Sequence, residues 1–254
     1  MKKLISILLA MALVFGITSM NAFAFDIPDQ DSSGNYIRMI NGEEYDISRN
    51  AAPDSYQWNA DSAANDAAAP TGSDTIGTRN VAPGTMPTGG GEYPYDPDWW
   101  NDPDNIYRAN CYGYILNRVS TDYDDAYAGY LFQPGYKTGD TLDTSKFTCT
   151  DIIDKVTSDL AEFGRTIRSS TYSGVPGSNE YKIALVIDPG GFLRKPDYHW
   201  YRQNSDGTWS HKRGLTEVTN LDASGNIILD PKTCDRNYPG RPYSTWCGYY
   251  IISR

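Results

Sequence analysis

The run Asp197-Tyr198-His199-Trp200-Tyr201-Arg202-Gln203-Asn204-Ser205-Asp206-Gly207-Thr208-Trp209-Ser210-His211-Lys212 holds both histidines of the 254-residue chain, 12 positions apart. Aromatic-rich runs flank Asn-Ser-Asp-Gly, a strong turn signal, so the stretch reads as two antiparallel strands. A three-residue loop Ser205-Asp206-Gly207, with Gly207 left-handed, pairs Asn204 with Thr208. Position 201 then faces 211, and His199 sits diagonally across from His211 on the same face. A four-residue loop reverses that parity and separates the two rings. Turn geometry therefore decides whether the histidines form one site.

Around this hairpin the chain reads as further strands. Tyr181 to Asp188 is mostly apolar and β-branched, bounded by Pro189-Gly190-Gly191, and reads as a central strand. Ile227-Ile228-Leu229 after Ser224-Gly225-Asn226 reads as a short hairpin, and Trp246 to Ile252 as a closing strand. Upstream, Asn110 is a good cap for a helix running to Val119, with Cys111, Tyr114, Ile115 and Arg118 on one stripe. Thr150 is the expected cap of a second helix that ends near Gly164. Helices first and a mainly antiparallel sheet afterwards make the expected fold class α+β.

The N-terminal part differs in character. Residues 1–24 read as a signal peptide: Lys2 and Lys3, an apolar run from Leu4 to Ile17, then Ala22-Phe23-Ala24. That run is too short for a typical spanning helix, so a secreted protein of the extracellular space or cell envelope is expected, without stable membrane insertion. Residues 25–92 form an N-terminal extension. It opens with a hairpin, Tyr36 to Ile40 and Glu43 to Ile47 around Asn41-Gly42, and continues as a small-residue stretch expected to be a linker or a surface-draped segment. A pro-segment role for this extension is a further expectation. Residues 93–254 form the expected catalytic-like domain. Its entry, residues 93–109, carries alternating Asp and Pro, with Trp99 and Trp100 expected to cover the core; its spacing is not that of an EF-hand.

Leader removal takes Lys2 and Lys3 and moves the formal charge from −10 to −12. Such acidity opposes nucleic-acid binding, which relies on neutralising phosphates. Tyrosine is the dominant aromatic with 20 copies, which suits half-buried sheets and sugar or peptide clefts. Four cysteines in an oxidising compartment allow two disulfides in three connectivities. If Cys111 stays free, at most one internal bridge remains; Cys234 and Cys247 are the nearest pair in sequence.

The chemistry-bearing candidates are Cys111 and the two histidines. A thiol in the first turn of a helix sits at the positive end of the helix dipole, which favours the thiolate. A neighbouring imidazole can take its proton, and a third polar group can fix that imidazole. On this reading Cys111 is the nucleophile, His199 the base and His211 the orienting residue, with Asn110 and Tyr112 as oxyanion support. Asp222, Asn220 and Asp230 are alternative third members. Arg202 and Lys212 read as residues of a solvated strand face, or less readily as partners of a substrate carboxylate. No metal or other cofactor is expected: two histidines fall short of a zinc ligand set, and no G-x-S-x-G element marks a serine nucleophile.

Cys111 at a helix start in Asn110-Cys111-Tyr112-Gly113, followed by His199 and His211 on successive strands, resembles the NlpC-type cell-wall peptidases of the papain-like clan. The Asn-Cys-Tyr-Xaa-Tyr stretch is equally similar to CHAP-type amidases of that clan. NlpC-type enzymes usually read Asp-Cys-Ser-Gly at the nucleophile. The resemblance spans roughly residues 105–252. It implies a papain-like fold and a thiol-dependent hydrolase acting on amide bonds of peptidoglycan or another peptide; a monomer is the separate expectation for the oligomeric state. The alternative expectation is a non-catalytic secreted module that binds glycan or protein on the same scaffold.

Overall fold

The computed structural model describes residues 66–69, 84–121, 129, 132–143, 145–192 and 194–254, and assigns strands at 29–30, 36–40 and 43–46. The leader, most of the stretch 51–83 and the acidic run 122–125 lie outside the described residues. In chain order, β1 (Asp29–Gln30), β2 (Tyr36–Ile40) and β3 (Glu43–Asp46) form a small antiparallel sheet. Ile40 pairs with Glu43 across Asn41-Gly42, the expected two-residue hairpin. The short strand β4 (Asp66–Ala68) follows, then helix α1 (Pro97–Trp100) and helix α2 (Cys111–Leu116). After them come strand β5 (Arg118–Ser120), paired with β4, and helix α3 (Cys149–Glu162). The remaining strands are β6 (Ile167–Ser170), β7 (Glu180–Asp188), β8 (Asp197–Gln203), β9 (Trp209–Lys212), β10 (Val218–Thr219), β11 (Asn237–Tyr238), β12 (Arg241–Pro242) and β13 (Thr245–Ser253).

Six of these strands form the central sheet in the order β10-β9-β8-β7-β13-β6, and every neighbouring pair is antiparallel. The fold is therefore α+β, with few helices and a mainly antiparallel sheet. No helix among the described residues is long and apolar enough to cross a membrane.

Both faces of the sheet are covered, which explains why β7 and β8 are buried along nearly their whole length. On one face Tyr181, Ile183, Leu185, Ile187, Tyr198 and Trp200 pack against Cys111, Tyr112 and Ile115 of α2 and Ile152, Val156 and Leu160 of α3. This is the helical face. On the other, Ala184, Val186, Tyr201 and Trp209 pack under Met86, Ile228, Tyr238 and Tyr243. This is the loop-covered face. Met86 is fully buried there, so the end of the stretch expected to be a linker is part of the core.

The helices depart from their expected limits. The first ends at Leu116 because Asn117 takes a left-handed conformation, φ 55°, which Asn tolerates better than most residues. Arg118 therefore starts a strand instead of continuing the helical stripe. The second is capped by Thr148, not Thr150. Thr148 Oγ1 accepts from the Asp151 N–H, and Asp151 accepts back from the Thr148 N–H at 2.7 Å, a complete capping box. Cys149 is disulfide-bonded to Cys247, while Cys111 and Cys234 are free. Cys234 and Cys247, the nearest pair in sequence, are not joined. Residues 227–229 contribute a single bridge, Leu221 to Ile227, where a short hairpin was expected.

Candidate functional site

The β8–β9 turn is the three-residue form. Gly207 has φ 84°, the Asn204 N–H donates to the Thr208 carbonyl at 2.8 Å, and Tyr201 pairs with His211. Asp206 locks the loop by accepting from the Thr208 N–H and hydroxyl at 2.9 and 2.6 Å. His199 and His211 consequently share one face, and His199 Nε2 lies 2.8 Å from His211 Nδ1.

The hydrogen bonds assign the protons. His211 Nε2 is 3.0 Å from the Leu221 carbonyl, which only accepts, so that nitrogen carries a hydrogen. His211 Nδ1 is then the acceptor, and His199 Nε2–H donates to it. The Tyr238 hydroxyl oxygen, 3.1 Å from His211 Nε2, shares that ring's proton. His199 is stacked on Tyr243, with centroids 5.1 Å apart and planes 28° apart. Both histidines are buried. Burial, then the neighbouring His211 and Arg213, holds His199 well below the ordinary imidazole range. Burial pushes His211 down to about 4, against the opposing pull of the Leu221 carbonyl. At neutral pH the pair is uncharged.

Cys111 lies elsewhere. Residues paired across adjacent strands share a face, so Val186 opposite His199 and Ala184 opposite Tyr201 place both histidines on the loop-covered face. Cys111 packs with Tyr198 and Trp200 on the helical face. Tyr114 of α2 confirms the side of that helix, because its hydroxyl meets Ser210 at 2.6 Å and its carbonyl accepts from Arg202 at 3.0 Å. Cys111 makes no hydrogen bond to either histidine. Burial, reinforced by the Asp197 carboxylate, pushes its thiol up, with the Trp200 backbone amide opposing. The short helix thus does not activate the thiol in the way its position in the first turn led one to expect.

The supporting residues are committed too. Asn110 Oδ1 caps α2 by accepting from the N–H groups of Tyr112 and Gly113 at 2.9 and 3.1 Å, and its Nδ2 donates to the Phe132 carbonyl. The Tyr112 hydroxyl donates to the buried Asp159 carboxylate at 2.8 Å. Neither is left to meet an oxyanion. Asp222 accepts from the backbone of Ser224, Asn226 and Asp235. Asp230 accepts from the Tyr249 hydroxyl, and the Asn220 carbonyl from the Ile228 N–H. None of the three alternatives hydrogen-bonds His199.

Arg202 and Lys212, expected on a solvated face, are fully buried. The Arg202 guanidinium lies 4.0 Å from the Tyr114 ring centroid and donates to Asn117 Oδ1 at 2.9 Å. Lys212 Nζ donates to the carbonyls of Ile106 and Thr216 at 2.7 and 2.6 Å. Both are internal braces.

Comparison with known proteins supplies a relative. Insoluble matrix shell protein 1 of Ruditapes philippinarum is 34% identical over 155 residues, which is 61% of this chain and 86% of the relative. This chain belongs to the family of insoluble matrix shell protein 1. No family model matches it, and no solved structure matches it.

In this member of the insoluble matrix shell protein 1 family, the residues that define the histidine environment went unnoticed in the sequence. Tyr238 comes from the two-stranded arm β11–β12 and Tyr243 directly follows it, where the chain folds back over the sheet. Arg241 of the same arm lies 3.5 Å from Asp197 and 3.4 Å from Asp188, which Arg194 also grips through two bonds of 2.8 Å. No local motif marks these residues, since only the fold-back of the arm brings them to the histidines.

Proposed function

We propose that this chain is a secreted, non-catalytic module of an extracellular matrix. The observation that carries this reading is the placement of His199 and His211 on one face of the sheet and of Cys111 on the other. A thiol nucleophile needs its base within hydrogen-bond reach. Here the base is neutral, bonded to a second neutral histidine and covered by Tyr243, while the thiol is buried and held protonated. This arrangement weighs against the papain-like, NlpC-type or CHAP-type hydrolase implied by the resemblance. The leader-like residues 1–24 and the Cys149–Cys247 disulfide support an oxidising, extracellular destination. The family relationship to a protein named for an insoluble shell matrix supports a structural role there.

The test compares the mature wild-type protein with Cys111→Ser on peptidoglycan and on peptide substrates. The expected result is no product release by either protein. Release by the wild type that disappears in Cys111→Ser would restore the hydrolase reading.

A further inference from the structure

Strand β13 carries an irregularity. Trp246 pairs with Val186 and Gly248 with Leu185, so Cys247 is an extra residue, a β-bulge. In a regular strand Trp246 and Tyr249 would point to opposite faces. The bulge turns both to the loop-covered face, with ring centroids 4.7 Å apart. It also frees Cys247 to reach Cys149 at the start of α3 on the helical face. Gly248 adopts φ 151°, a backbone geometry that a side chain would strain. The local fold is thus built to bring two aromatic rings together edge to face, with planes 67° apart.

These rings line a cleft of about 480 Å³ together with Ser170, Tyr172, Asp230, Lys232 and Thr233. Tyr172 is nearly half exposed at its edge. Asp230 Oδ1 accepts from the Tyr249 hydroxyl at 2.6 Å and from the Lys232 N–H at 2.8 Å, while Oδ2 has no partner among the described residues. The lining has three aromatic rings, hydroxyls, one carboxylate and one ammonium, and no aliphatic side chain other than that of Lys232. A fatty or purely apolar ligand would leave these polar groups unpaired. A sugar ring satisfies both kinds of surface: its axial C–H face packs on an aromatic ring and its equatorial hydroxyls meet carboxylate, ammonium and hydroxyl groups.

We propose that this cleft binds a β-linked, gluco-configured glycan, with Trp246 and Tyr172 as stacking platforms and Asp230 as hydroxyl acceptor. The proposal rests on the non-catalytic reading and gives that module its ligand class.

The test is titration of the mature protein with β-1,4-linked hexamers of glucose and of N-acetylglucosamine, followed by tryptophan fluorescence and calorimetry. Saturable binding of at least one hexamer is expected. Trp246→Ala and Tyr172→Ala should each weaken it by at least about tenfold, as loss of a central aromatic contact does. Tyr172 is the safer variant for folding because it lies at the surface. Absence of binding up to about 5 mM, an affinity too weak to be meaningful, would overturn the proposal, as would binding that both variants retain. Chromatography of the same samples reports cleavage. Cleaved hexamer would refute the non-catalytic reading, whereas absent binding without cleavage refutes the cleft alone.

Discussion

Acid should destabilise this fold well above the range in which surface carboxylates titrate. The unfolded chain exposes both histidines with pKa about 6.5. In the folded protein His211 is held down to about 4 and His199 well below its usual range. As pH falls below about 6.5 the unfolded state takes up protons that the folded state refuses, so stability rises with pH across this window. The full contribution is present above about pH 6.5 and is lost progressively towards the folded values. By pH 5 the loss is about 2 kcal/mol for His211, from about 1.4 kcal/mol per pH unit. His199, also held down by burial and by its neighbour His211, adds to the loss in the same direction, and the His211 share alone is a sizeable part of the 5–15 kcal/mol typical of a domain. Asp159 and Asp197, whose carboxyls are raised mainly by burial, act in the opposite sense. Asp143, Asp151, Asp235 and Glu180, lowered by hydrogen bonds, lose their contribution only below about pH 4.5. Urea unfolding from pH 8 to pH 5 would measure the slope. A His199→Asn/His211→Asn double variant should flatten it even though the variant is less stable overall. A wild-type curve that is flat between pH 7.5 and 5, or a slope that persists in the double variant, would refute the reasoning.

Three further outcomes follow from the packing. Arg202→Ala removes a buried cation from its aromatic surroundings, takes one of two donors from the Tyr114 carbonyl and leaves Asn117 Oδ1 without its Arg202 donor; thermal unfolding should show a loss of at least about 3 kcal/mol, with a smaller loss for Arg202→Met, which refills the space. The Cys149–Cys247 disulfide closes a 98-residue separation, so the Cys149→Ala/Cys247→Ala double variant should be about 2–5 kcal/mol less stable by guanidinium titration; an unchanged midpoint would contradict this. Thr148→Ala breaks the capping box of α3 and should cost about 1 kcal/mol in chemical unfolding.

What could be read from the sequence was mostly local. Ser205-Asp206-Gly207 set the hairpin register because its turn chemistry needs no distant partner, and of the two loop lengths the sequence allowed, the three-residue form brought the two histidines together. Tyr181 to Asp188 and Trp246 to Ile252 declared themselves as strands by β-branched and aromatic content. The side of the sheet on which α2 packs was not legible. Every residue of β8 is apolar or becomes internally paired, so neither face announced itself as the one meeting Cys111. The truncation of α2 depended on Asn117 answering Arg202 from a distant strand and on its own tolerance of a left-handed conformation. Arg202 and Lys212 looked like solvent-facing charges, because the Tyr114 ring and carbonyl that receive Arg202 and the Ile106 carbonyl that receives Lys212 lie about 100 residues upstream. The disulfide partner of Cys149 depended on a bulge that pairing alone defines.

The separation of Cys111 from His199 by the sheet is tested most directly by alkylation of Cys111 across pH in wild type and His199→Ala, with the modified cysteine mapped by mass spectrometry. Slow modification at pH 7 and below, unaffected by the His199 substitution, is the predicted result, since a buried thiol with no adjacent base stays protonated. Rapid modification of Cys111 below about pH 7, slowed by His199→Ala, would contradict it and return the pair to a shared catalytic site.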